Sequence, residues 1–282
     1  MTIVAVINGA TAMPVFQRTQ SENGLSLCLR LATFALMSLT SFEPAAASDP
    51  ILKVIDSTDA PWPSIGRVNV AGYRTTSMCT GTLIAPNIVL TAAHCLFNKA
   101  SLKKFPEKDM FFVAGVRRDE YSARLEVACA LPAAGYEPKK QPKLSDVHND
   151  VGILVLKERS SLPPVPALAP EEASVLTKAT RFDSAGYRRS RRFLPTVVSA
   201  CKVTGTVKDS WVTNCSSESG ASGGPLLVET ADGLRVAGIM SAKIDDVRSA
   251  IVPFYEWQEL LDAPACNTGA PASKAALRSS LD

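Results

Sequence analysis

Asn87-Ile88-Val89-Leu90-Thr91-Ala92-Ala93-His94-Cys95 is a short apolar run that stops on a histidine. Four apolar or β-branched residues bounded by Pro86-Asn87 and by two alanines read as a buried strand, too short for a helix. Runs of the same kind recur at 81–85, 110–114, 151–156, 224–228 and 234–239, each broken by Gly, Pro, Asn or Asp. No repeated strand–helix unit is present, so the pattern predicts a mostly antiparallel sandwich or barrel. Pro163-Pro164-Val165-Pro166 and Pro170 interrupt it near the middle. Proline cannot donate to a sheet ladder, so this stretch reads as a linker between two halves. From Pro253 to Leu261 the apolar residues fall on one helical face, with proline suited to the first turn.

With 46% hydrophobic and 20% charged residues the chain has an ordinary globular balance, and a formal charge of +3 gives no argument for nucleic acid. Residues 1–47 read as an export signal. Arg18 and Arg30 supply positive charge, Leu31 to Leu39 an apolar run, and Ala45-Ala46-Ala47 a site for cleavage. That run is far below the roughly 20 residues a spanning helix needs, so no membrane span is expected after its removal. Six of the seven cysteines lie beyond it: Cys79, Cys95, Cys129, Cys201, Cys215 and Cys266. An even number in an exported chain predicts disulfides, with 15 pairings open. The only histidines are His94 and His148, at no spacing that suits a metal centre with these cysteines.

Three segments carry chemistry together. Gly220-Ala221-Ser222-Gly223-Gly224-Pro225 surrounds a serine with glycines, which allow the tight turns that aim successive N–H groups into one concavity. Such a segment alone is also an ordinary turn. His94 ends one strand, and Asp150 directly precedes another in Asn149-Asp150-Val151-Gly152-Ile153-Leu154. A serine hydroxyl is a weak nucleophile that needs a histidine base, a carboxylate to orient that base, and amides to hold an oxyanion. All four parts are present in one exported chain.

Thr91 to Cys95, Asn149 to Leu154 and Gly220 to Pro225 resemble the histidine, aspartate and serine motifs of the trypsin/chymotrypsin family. Pro61-Trp62-Pro63-Ser64-Ile65 resembles its first strand, and Val236 to Ser241 the strand lining its substrate cleft. The likeness runs from about Asp59 to Leu261. It implies an all-β fold of two antiparallel six-stranded β-barrels with a cleft between them and a C-terminal helix. With it the chain divides into a signal (1–47), a barrel with histidine and aspartate (48–165), a barrel with the serine plus the helix (166–263) and a tail (264–282). It also implies a triad of His94, Asp150 and Ser222, an oxyanion hole at the amides of Gly220 and Ser222, and Ser241 supporting the aspartate. Cys79–Cys95 and Cys201–Cys215 match disulfides of the family, and Cys129 and Cys266 are then left over.

The chain departs from vertebrate-type members at Ala221, where they carry an aspartate that pairs with a newly cut N-terminus. In this it is similar to secreted bacterial members, among them the glutamyl-endopeptidase relatives. Those relatives have a histidine where this chain has Met240, which argues against strict glutamate specificity. Lys243 lies two residues beyond Ser241 in the cleft, where it either meets acidic side chains or is simply solvated. Lys53-Val54 resembles a processing site, and the cluster Arg188, Arg189, Arg191 and Arg192 reads as a surface loop. The expectation is a serine endopeptidase, secreted or periplasmic, that forms an acyl-enzyme with polypeptide substrates. It needs no cofactor and no metal, and its cleft also admits a protein inhibitor. The competing reading is an inactive, protease-like binding module.

Overall fold

The computed structural model describes residues 50–70, 77–262, 264 and 266. The signal at 1–47 lies outside the described residues, as does most of the 264–282 tail. The short apolar runs are strands. β1 (Ile51–Val54) joins the second of two sheets. β2 (Ile65–Val70), β3 (Met78–Ala85), β4 (Ile88–Thr91), β5 (Met110–Ala114), β6 (Ala123–Pro132) and β7 (Gly152–Leu156) close a barrel in the order β2-β3-β4-β7-β6-β5. Every pairing in it is antiparallel. Its core includes Ile65, Leu83, Leu90, Phe112, Ile153 and Leu154, all without solvent exposure. Burial of such side chains contributes about 1.5–3 kcal/mol each.

The register of this barrel sets where the chemistry begins. β4 pairs with β7 so that Leu90 faces Ile153 and Thr91 faces Gly152. The chain leaving β4 therefore starts at the barrel end from which the chain enters β7. His94 follows in a 3-10 turn, Ala93–Leu96, and Asp150 ends another, Leu144–Asn149.

The second sheet holds β8 (Phe182–Arg188), β9 (Arg191–Cys201), β10 (Val203–Val207), β11 (Ser210–Thr213), β12 (Pro225–Thr230), β13 (Gly233–Lys243) and β14 (Ser249–Pro253). Its order is β1-β9-β8-β12-β13-β14-β11-β10. The chain at the end of β9 and just after β11 is joined by the Cys201–Cys215 disulfide and by the Asn214 N–H bond to the Lys202 carbonyl (3.2 Å). The all-β, two-barrel class holds, with eight strands in the second sheet where six were expected. One of the extra strands comes from the other end of the sequence, because β1 pairs with β9 through Lys53↔Val197.

The helix expected over Pro253–Leu261 is split. Pro253 is the last residue of β14, paired with Gly238, so the chain is still extended there. A 3-10 turn, Phe254–Glu256, comes next, and the α-helix α1 covers only Gln258–Asp262. Trp257 lies between them, fully buried.

Gly66 shows how tightly β2 is held. A Cβ there would meet the Val113 carbonyl oxygen at 2.5 Å and the Ala114 Cα at 2.7 Å, both backbone atoms that cannot swing away. At Gly205 in β10 nothing lies within 4 Å. Gly66→Ala is expected to cost about 1–3 kcal/mol of stability by overpacking. Gly205→Ala should stay within about 0.5 kcal/mol of the parent. Urea unfolding of the three proteins checks both, and equal midpoints would contradict the packing of β2.

Candidate active site

Asp150 is almost wholly buried, at 7% exposure, and its carboxylate takes three hydrogen bonds. Oδ1 accepts the backbone N–H of His94 at 2.8 Å. Oδ2 accepts from His94 Nδ1 at 2.7 Å and from the Ser241 hydroxyl at 2.5 Å. The carboxylate can only accept, so the neutral imidazole carries its proton on Nδ1 and leaves the Nε2 lone pair free. Burial pulls the proton affinity of His94 down, but the charge of Asp150 and the hydrogen bond to it outweigh this, and the net shift is upward. The His94 side chain itself keeps 40% exposure, which leaves it open to a proton donor from outside.

Three successive peptide groups shape the serine loop. Gly220 and Gly223 have φ of +97° and +79°, which side chains avoid. A Cβ at Gly220 would also meet Met78 Cε at 2.5 Å, and one at Gly223 would meet Thr91 Oγ1 at 2.2 Å. The Ser219 carbonyl accepts from the Arg189 N–H at 2.7 Å, and the Ala221 carbonyl from the Gly224 N–H at 2.9 Å. In a trans peptide the N–H points opposite to the C=O. Those two bonds fix the planes of the peptides that carry the Gly220 and Ser222 N–H groups. Neither N–H donates to any group among the described residues, whereas Ala221 and Gly223 donate to the Glu218 and Met240 carbonyls.

Ser241 joins the two halves. Its hydroxyl reaches Asp150, and its carbonyl lies 3.4 Å from the Ser222 hydroxyl. Ser222, Ser241, Asp150 and His94 thus form one connected set. The anchor of the serine loop was not found from the sequence. Thr80 in β3 donates its N–H to the Ser222 carbonyl at 2.8 Å and its hydroxyl to the Gly220 carbonyl at 2.8 Å. A threonine inside a strand is the expected β-former, so only its position next to Cys79 could have marked it.

The sulfurs pair as Cys79–Cys95, Cys129–Cys266 and Cys201–Cys215. The first holds the His94 turn to β3. Cys79, His94 and Cys95 lie close together, but the joined sulfurs offer no thiolate to a metal. Lys243 is exposed, and its ammonium meets Asp246 at 2.6 Å.

Beside His94 opens a cavity of about 590 Å³, walled by Phe97, Tyr136, Ser241 and Ala242, by Lys99, Lys139, Lys143, Lys208 and Lys243, and by the carboxylates Glu137, Asp146 and Asp150. Lys139 and Lys243 are paired with carboxylates. Lys99, Lys143 and Lys208 have none within ion-pair distance among the described residues.

A family model described as Trypsin matches residues 54–255. The match contains both sheets except part of β1, and every residue of the connected set.

The imidazole titration tests the Asp150 contact directly. In the native chain the midpoint of His94, followed by NMR of its ring protons, should lie above the ordinary 6.5. In Asp150→Asn the upward influences are gone, while burial and the charge of Lys99 still act downward, so the midpoint should fall below 6.5. An unchanged midpoint would contradict the charge pairing.

Proposed function

The chain belongs to the trypsin family of serine peptidases, and from that membership we propose that it is an exported endopeptidase in which Ser222 is the nucleophile, His94 the general base and Asp150 the group that orients it. The observation that carries this reading is the unbroken line of contacts from His94 through Asp150 and Ser241 to the Ser222 hydroxyl. Three disulfides suit an oxidising compartment. Among the described residues no helix is long and apolar enough to cross a membrane.

The chemistry follows from the tautomer. His94 Nε2 takes the hydroxyl proton as Ser222 Oγ bonds to the scissile carbonyl carbon. The carbonyl oxygen becomes an oxyanion facing the N–H groups of Gly220 and Ser222. The C–N bond then breaks, with Nε2 returning its proton to the departing amine, and the acyl group stays on Ser222 as an ester. Water attacks this ester while Nε2 again accepts a proton, which passes to Ser222 as the acid leaves. Asp150 stabilises the imidazolium in both halves, which agrees with the raised proton affinity of His94.

The backbone supports a binding mode. β12 leaves β13 after Pro225↔Ile239, so residues 241–243 are paired on one edge only, by β14. An extended peptide can add to the open edge as an antiparallel strand. Its residues preceding the scissile bond then run past Lys243 and Ala242 into the lysine-lined cavity. Glu137, Asp146 and Asp150 share that cavity, but Asp146 is held by Lys139 and Asp150 by His94, so Lys99, Lys143 and Lys208 outnumber the remaining carboxylate and favour acidic side chains on this part of the substrate.

Two measurements test this reading. Hydrolysis of an unstructured polypeptide by the processed chain should fall by about 10⁴-fold or more in Ser222→Ala. Equal, absent cleavage in both proteins would instead support an inactive binding module. Among peptides cut at the same bond, glutamates at the residues preceding it should raise kcat/KM severalfold over lysines. Added salt should shrink the difference, and Lys143→Glu with Lys208→Glu should reverse it. No difference between the peptides would remove the acidic preference.

A further inference from the structure

We propose that Thr80 is the positioning residue that locks the serine loop in its reactive shape, in place of an ion pair with a freshly cut N-terminus. The proposal rests on the serine-peptidase reading of Ser222 and the Gly220 and Ser222 amides.

Thr80 is fully buried between the two sheets. Its N–H binds the Ser222 carbonyl at 2.8 Å, and its hydroxyl donates to the Gly220 carbonyl at 2.8 Å. The same oxygen accepts the Tyr187 N–H at 2.9 Å from β8, and the Thr80 carbonyl accepts from the Thr91 hydroxyl at 2.8 Å. Because the hydroxyl oxygen is already held by Tyr187, its single proton is aimed at Gly220. The peptide from Gly220 to Ala221 is thereby fixed at both ends, its oxygen by Thr80 and its N–H by the Glu218 carbonyl at 3.0 Å.

This peptide lies between the two that present the Gly220 and Ser222 N–H groups. It is joined to both through the Cα atoms of Gly220 and Ala221, so its orientation bears on the backbone angles at these two residues that set the concavity for the oxyanion. Glycine at 220 makes rotation there easy, since it lacks the Cβ that restricts other residues. A lock is therefore needed, and a charge cannot supply it, because the neighbouring residue is the buried Ala221.

The N-terminal side of the chain agrees. Ile51 to Val54 are exposed and laid along β9, with Lys53 opposite Val197. The strap continues through the Ile55 N–H to the Pro195 carbonyl at 2.8 Å, and Asp56 is held by Arg117 and Arg118. Nothing in this path brings an amino group to Ala221. The loop is set by Thr80 whether or not the chain is cut at Lys53.

The test uses the processed full chain and the variants Thr80→Val and Thr80→Ser, with folding checked by near-UV circular dichroism. Valine keeps the shape and the N–H bond to Ser222 but removes both hydroxyl bonds. It should lower kcat by about tenfold or more, part of the hundredfold or greater loss known for a missing oxyanion donor, with KM unchanged within about twofold. A peptide aldehyde, whose adduct places an oxyanion in the same concavity, should lose affinity in proportion. An unreactive peptide of the same sequence should not. Serine restores the hydroxyl and should restore kcat to within about threefold, allowing for its freer rotamer. Chains that begin at Ser48 and at Val54 should have equal kcat. An unchanged kcat in Thr80→Val, a serine variant as impaired as valine, or activity that appears only after cutting at Lys53 overturns the proposal. If the parent chain hydrolyses nothing and binds no aldehyde, the serine-peptidase reading falls and this proposal with it.

Discussion

One carboxylate oxygen holds the two halves of the site together. Asp150 Oδ2 accepts from the imidazole of the closed barrel and from the Ser241 hydroxyl of the second sheet. Each donor is supplied by backbone whose register is set within a few residues of it: Thr91 opposite Gly152 for the histidine, Met240 opposite Ile251 for Ser241. The carboxylate is buried, so losing either donor would leave charge with too few partners, at a cost of several kcal/mol. The two halves are therefore under a mutual constraint, and the Ser222 hydroxyl falls within reach of the same strand end.

A second constraint runs through the backbone. The carbonyls preceding the Gly220 and Ser222 amides are both bound within the fold, to Arg189 and Gly224. In the proposed mechanism this holds the donors ready before negative charge develops. Thr80, Thr91 and Tyr187 carry this order from the barrel interior to the loop, and each is fully buried. The cavity beside His94 has a different character, lined by five lysines and three carboxylates.

Much of this was legible in the sequence, for identifiable reasons. His94, Asp150 and Ser222 each sit near a strand boundary inside a short motif, and it is the three motifs together, with the family they resemble, that mark them as candidates. For Ser241 a role beside the aspartate was what the family resemblance implied, and its hydroxyl lies 2.5 Å from Asp150. Other features were hidden. β1 is exposed at all four residues and pairs with a strand more than 140 positions away, so neither periodicity nor composition reveals it. The helix read from Pro253 to Leu261 has the right apolar spacing, but pairing of Pro253 with Gly238 keeps its start extended. Thr80 looks like any strand threonine, because its importance lies in what its hydroxyl meets across the sheet boundary. Lys243 is exposed and pairs with Asp246 while also lining the cavity, so neither of its two readings is singled out.

The central claim is that the Ser222 hydroxyl is activated by His94, and covalent trapping tests it most directly. The processed chain would be treated with a serine-directed phosphonofluoridate at several pH values, and the modified residue located by mass spectrometry. The account predicts a single adduct, on Ser222, forming faster as pH rises through the titration of His94. An adduct on another serine, or a rate that ignores that titration, would contradict it.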